Sequence, residues 1–221
     1  MIMESGMEEH NILKAYNMLL YFAGTMLMYE PNHECIRDFW NEGILKTLPV
    51  SSNNPRFVKA ASQLRNSISN DDGTFLMMKK DYISLFNGSG SSFAPPYESV
   101  YRSKDNLMFD IQTTEVRDFY RSYGWESNFK NKIPDDHLGI ELLFLTLMIE
   151  KYLDLDDKVC HVEMKSEIIR FIDQHILSWV PLWNEHIQTY ANTLSYKGIG
   201  TLIHACVEDM SDILEHNNAE S

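Results

Sequence analysis

Residues 138–152 read Leu-Gly-Ile-Glu-Leu-Leu-Phe-Leu-Thr-Leu-Met-Ile-Glu-Lys-Tyr. Leu138, Leu142, Leu145, Ile149 and Tyr152 recur every three to four residues, which is the spacing of one helical stripe. Ile140, Leu143 and Leu147 carry apolar surface onto the other faces. A helix apolar nearly all round must be enclosed by other helices. This segment therefore predicts an all-α bundle with residues 138–152 in its middle. Just ahead of it, Ile133-Pro134-Asp135-Asp136-His137 has the chemistry of a helix start. Asp135 or Asp136 is placed to cap free amides and meet the positive end of the helix dipole. His137 is held toward its neutral form by that dipole and toward its charged form by the aspartates.

The flanking sequence is also helical. Ile12, Ala15, Tyr16, Leu19, Leu20 and Ala23 predict a first helix over about residues 8–29, stopped by Pro31. A second is expected from Glu34 to Thr47, ended by Pro49. Asn54-Pro55 is a cap followed by proline at the first helical position and opens a helix through Ile68. Asn70-Asp71-Asp72-Gly73 is a turn, and Phe75 to Phe86 a short helix. Ser103-Lys104-Asp105 opens a helix through Tyr123 with Gly124 as its C-cap. Ser166 to Trp179, a helix from Pro181, and Gly198 to His216 complete the set. The expectation is a single bundle of about eight to ten helices spanning residues 1–221. Residues 87–97, Asn-Gly-Ser-Gly-Ser-Ser-Phe-Ala-Pro-Pro-Tyr, form the one long Gly/Ser/Pro loop. It separates an N-terminal part (1–86) from a C-terminal part (98–221), either as a linker or as a loop over one bundle.

Composition narrows the function. With 221 residues and 44% hydrophobic side chains, the chain can bury a substantial core. Nineteen basic residues against 32 acidic ones give a net charge of −13. Nucleic acid and anionic membrane surfaces repel such a chain, whereas a cationic peptide suits it. Three scattered cysteines, Cys35, Cys160 and Cys206, fit a reducing compartment with thiols as small core residues. The acidic start lacks the basic residues of a secretory signal. Leu19 to Met28 is shorter than the roughly 20 residues a bilayer span needs, so no stable membrane insertion is expected. The expected location is the cytoplasm.

Catalytic patterns are missing. There is no HExxH, and no Glu-x-x-His pair for a di-metal bundle, since Glu141 is followed at that spacing by Phe144. GxSxG and GxxxxGK[ST] are absent. Gly198-Ile199-Gly200-Thr201 lacks a following lysine and reads as close packing at a helix start. No enzyme activity, metal or cofactor is expected.

Several short elements nonetheless fall in a telling order. They are Tyr82, Leu85 and Phe86; Gly88; Pro96, Tyr97, Ser99 and Val100; and Pro134, Asp136, His137, Leu138 and Gly139. Trp179-Val180-Pro181-Leu182-Trp183 follows later. Over about residues 75–190 this order resembles the TorD/DmsD family of chaperones for molybdenum oxidoreductases, which is related to NarJ. The resemblance implies a helical chaperone that binds the twin-arginine signal peptide and apo catalytic subunit of a molybdenum-containing anaerobic oxidoreductase. Export would then wait until the client's cofactor is inserted. It assigns the signal-binding surface to Tyr82, Leu85, Phe86, Pro96, Tyr97, Asp136 and His137. Lys132 and Ile133 stand where the family often carries a glutamate. An acidic contact for arginine is therefore either lost or moved to Asp135.

Physical reasoning favours the same partner. An apolar groove with fixed carboxylates suits a peptide that joins arginines to an apolar helical stretch. Tyr82, Phe86 and Tyr97 would supply the groove, and Asp135 with Asp136 the charge. The main alternative is a generic helical adaptor that binds an amphipathic helix without preference for arginine. A weak nucleotide hydrolase, suggested by nucleotide binding in the family, ranks third because the phosphate loop is missing. The sequence fits a monomer or a dimer that exchanges helices about residues 87–97.

Overall fold

The computed structural model describes residues 2–32, 47–67, 72–87, 92–103, 111–129 and 132–216. The helix expected from Glu34, the turn at Asn70-Asp71, the Gly88–Ser91 part of the loop and the helix opening at Lys104-Asp105 lie outside these residues. Nine α-helices are described. They are α1 (Ile2–Met28), α2 (Pro55–Asn66), α3 (Asp72–Phe86), α4 (Glu98–Arg102), α5 (Ile111–Ser122), α6 (Leu138–Leu153), α7 (Lys158–Phe171), α8 (Val180–Tyr190) and α9 (Leu194–His216). A π-helical turn, Ile172–Leu177, follows α7 directly. No β-strand occurs among the described residues, in keeping with the all-α expectation.

Helix α6 lies in the interior, with Leu138, Ile140, Leu142, Leu145 and Ile149 fully buried. Helix α1 packs along it, and α9 packs against both α1 and α2. Glycine permits the closest crossings. A Cβ on Gly139 would lie 2.5 Å from Met28 Cγ, and one on Gly198 would lie 2.7 Å from Leu64 Cγ. The Gly198-x-Gly200 pair thus serves helix packing, as its sequence suggested.

Several helix starts follow local sequence. Asn54 accepts from Arg56 N at 2.9 Å with Pro55 in the first turn. Gly124, at φ 69°, ends α5: its N–H reaches Arg121 O, and Trp125 N reaches Tyr120 O. This is the paired bonding of a Schellman ending, which a left-handed residue makes cheap.

Other boundaries differ from expectation. Helix α7 begins at Lys158, not Ser166, because Asp157 Oδ1 caps Cys160 N at 2.9 Å. Its first turn is solvent-facing, with Val159 and Val162 exposed, so no buried stripe marks it. The helix ends in the π turn, whose extra residue lets Ile172, His175 and Ile176 all face inward. Helix α9 starts at Leu194 rather than Gly198. Its start is held by Asp81, whose carboxylate accepts from Asn192 N, Asn192 Nδ2, Thr193 N and Thr193 Oγ1 at 2.7–3.1 Å. Among the cysteines, Cys206 is a core thiol as expected, whereas Cys160 is exposed. Cys35 lies outside the described residues.

Candidate functional site

The end of α3, the segment 92–97 and the segment 133–138 meet beside the interior helix. After the loop the chain turns back on α3, with Phe93 N donating to Ser84 O and Ala94 N to Leu85 O, each at 3.0 Å. It then runs antiparallel to the entry of α6. Leu138 N donates to Pro96 O at 2.8 Å and Glu98 N to Asp136 O at 3.0 Å, so Tyr97 and His137 form a bridged pair. Their rings meet edge-on at 5.1 Å. This single antiparallel bridge, a ladder one residue pair long, brings together four expected site residues: Pro96, Tyr97, Asp136 and His137.

The two aspartates divide the work differently from expectation. Asp136 is fully buried and caps α4, not its own helix: its Oδ2 accepts from Ser99 N at 3.0 Å. Helix α6 is capped instead by His137, whose Nδ1 accepts from Gly139 N at 3.0 Å. A ring nitrogen that accepts must be unprotonated. Burial reinforces this by pushing the His137 imidazole down to about 3. Asp135 is partly exposed and pairs with Arg117 Nε at 2.5 Å, while its backbone carbonyl accepts from Tyr120 Oη.

The aromatic and apolar residues also split. Leu85 is fully enclosed, and Phe86 packs between Tyr82 and Tyr196, at 5.6 and 5.4 Å. Tyr82 lies close enough to Tyr97 and Glu30 to feel their charges. Burial first, and then those neighbours, push its hydroxyl up to about 12. Tyr97 is half-buried, and its hydroxyl is raised by burial and then by Asp136. Of the eight expected residues, Tyr97 and Asp135 have the most open positions; the others form the wall behind them.

Beside Asp135 opens a cavity of about 340 Å³, lined by Arg117, Tyr120, Trp125, Lys132, Ile133 and Asp135 among others. Its mix of aromatic faces with fixed charge suits a peptide side chain. Glu30, at the end of α1, adds a carboxylate near Tyr82 and is paired with Lys79 Nζ at 2.7 Å. Sequence reading passed over Glu30, Arg117 and Tyr120, because nothing near them in the chain hints at the ladder. It also passed over a buried group behind the ladder, formed by Glu98, Glu141 and His175. There the signal was present: Glu141 is an acid in the first turn of an otherwise apolar helix. Among the described residues no set of three or more His, Cys, Asp or Glu is arranged to hold a metal. None of the described helices is long and apolar enough to cross a membrane.

Fold and site together define an all-helical protein whose candidate site is a backbone ladder with an aromatic, carboxylate-bearing rim. The chain belongs to the nitrate reductase delta subunit family, whose pattern matches residues 52–185. Similar proteins are each named Chaperone protein TorD. The one from Psychrobacter sp. (strain PRwf-1) is 28% identical over 149 residues, 66% of either chain. That from Aliivibrio salmonicida (strain LFI1238) is 24% identical over 79% of this chain and 85% of its own. That from Aliivibrio fischeri (strain ATCC 700601 / ES114) is 28% identical over 58% of this chain and 60% of its own. The TorD- and NarJ-related family expected from the short elements is thereby established, and these relatives are named chaperones rather than enzymes.

Proposed function

We propose that this protein is a cytoplasmic maturation chaperone for a redox enzyme, and that it binds the twin-arginine signal peptide of a molybdenum-containing client. One observation carries the reading. Asp135, next in the chain to the residues bridged to Tyr97, lines a cavity with aromatic walls, and Tyr97 and Asp135 are the two partly exposed residues of the expected set. An arginine entering that cavity meets a carboxylate already aligned for guanidinium by Arg117, and it must displace Arg117 from Asp135 into solvent against the nearby charges of Arg121 and Lys132. The apolar part of the peptide lies along Tyr97, which buried Tyr82 and Phe86 back from behind. Asp136 supports from behind, keeping Tyr97 and α4 in place without touching the peptide. The net charge of −13 adds a long-range attraction for a cationic segment.

Calorimetric titration with a twin-arginine signal peptide, and with the same peptide carrying alanines for both arginines, tests the reading. Binding at about micromolar affinity that weakens at least tenfold without the arginines is the expected result. Equal binding of both peptides would favour the adaptor. That alternative draws on one observation: Phe93 and Tyr190 stack at 5.0 Å while both remain about half exposed, a ready apolar contact for any helix.

A further inference from the structure

Behind the ladder, Glu98 on α4 meets Glu141 on α6, and both are fully buried. The two side chains are within hydrogen-bonding range of each other, yet neither Glu141 oxygen is satisfied as long as both are carboxylates, because the nearby Trp179 indole N–H is directed to His175 O at 2.6 Å. Glu98 is well supplied. Arg102 pairs with one oxygen, and His175 Nδ1 lies 3.0 Å from the other. Arg102 is itself fixed by Gln174 O at 2.8 Å, on the π turn. Two touching buried carboxyl groups cannot both be ionised at tolerable cost. The donors converge on Glu98, and Glu141 is left without one.

We propose that Glu141 is a protonated acid that donates to the Glu98 carboxylate, and that it is a positioning residue locking α4, hence Tyr97, onto α6. The role at Tyr97 rests on the peptide-site reading above; the proton on Glu141 does not. The groups facing the pair are all accounted for. Asp136 on the entry to α6 and Tyr120 on α5 lie near Glu141, Trp179 approaches it from the start of α8, and Arg102 on α4 and His175 on the π turn face Glu98. Burial, and then the charges of Glu98 and Asp136, hold the Glu141 carboxyl well above the ordinary range. With a folded-state value above the unfolded one, the contribution of Glu141 is complete below the ordinary glutamate range. It is lost as pH rises toward the folded value.

The test compares thermal unfolding of the wild type, E141Q and E141A from pH 5 to pH 9. Glutamine keeps the shape and the donor but has no proton to lose. E141Q is expected to unfold at the same temperature as wild type near pH 5 and at a higher one at pH 8, with a flatter profile. E141A should unfold about 5 °C or more below wild type near pH 5, with the gap narrowing as pH rises. An infrared spectrum at pH 7 should contain a protonated carboxylic acid band that E141Q lacks. A wild-type slope retained in E141Q, an E141Q as unstable as E141A, or no acid band would each overturn the proposal. Signal-peptide affinity is then measured at pH 7 for wild type and E141A. E141A, which loses the lock on α4, should bind at least tenfold more weakly. If neither protein binds the peptide, the function reading fails, while the unfolding profiles still decide where the proton is.

Discussion

Asp81 and Glu141 are both fully buried acids, yet their surroundings are opposite. Asp81 collects amides and a hydroxyl from Asn192 and Thr193 and so fixes the start of α9. Glu141 has another acid for its neighbour and gains a bond only by keeping a proton. A carboxylate answered by many donors is an architectural part. One left to share a proton sits where the structure has been tuned for something else, and here that is the back of the ladder carrying Tyr97. Burial alone does not distinguish the two cases; counting donors does.

The comparison can be broken most forcefully at Asp81. Asp81→Ala removes the acceptor and strands buried N–H groups at the head of a helix that packs against α1 and α2. A loss of about 3–5 kcal/mol is expected in urea unfolding. A loss below about 1 kcal/mol would mean the donors find water, and Asp81 would no longer stand for the architectural case.

A smaller effect, on the order of a few kcal/mol, is expected from pH at the ladder. The folded value of His137, about 3, lies below the ordinary imidazole value of 6.5. Its contribution is therefore complete above that ordinary value and lost as pH falls from there toward about 3. Unfolding temperatures of His137→Asn, which keeps a capping acceptor, should show a flatter acid limb than wild type. With Glu141 acting in the alkaline direction, the ladder region is squeezed from both sides.

The smallest change in stability is expected at the rim. Asp135→Asn breaks a partly exposed pair with Arg117, and its unfolding free energy should shift by less than about 1 kcal/mol. Signal-peptide binding should nonetheless weaken about tenfold by calorimetry. Unchanged binding would move the arginine contact elsewhere, with Glu30 the next acid to examine.

How far the sequence could be read follows from the range of the interactions. Helices α2 and α6 show their starts in a few adjacent residues, Asn54-Pro55 and Pro134 to His137. The start of α9 was hidden because its acceptor, Asp81, lies 111 positions upstream. The two extra turns of α7 were hidden because its first residues face solvent. At the site, the sequence placed Tyr97, Asp136 and His137 together through resemblance. It did not reveal that adjacent aspartates take opposite roles, since Asp135 and Asp136 differ only in which way the backbone turns them. Glu98, Arg102 and His175 converge from α4 and the π turn, and no short stretch of chain contains them.

The ladder also has a temporal meaning. Asp136 supplies the first-turn contact of α4, 37 residues behind it, while Pro96 accepts the first amide of α6. Neither helix has a finished beginning until the other's segment has arrived. The two should therefore nucleate in one event of moderate sequence separation, so that a lesion at either strand of the ladder slows formation of both helices together.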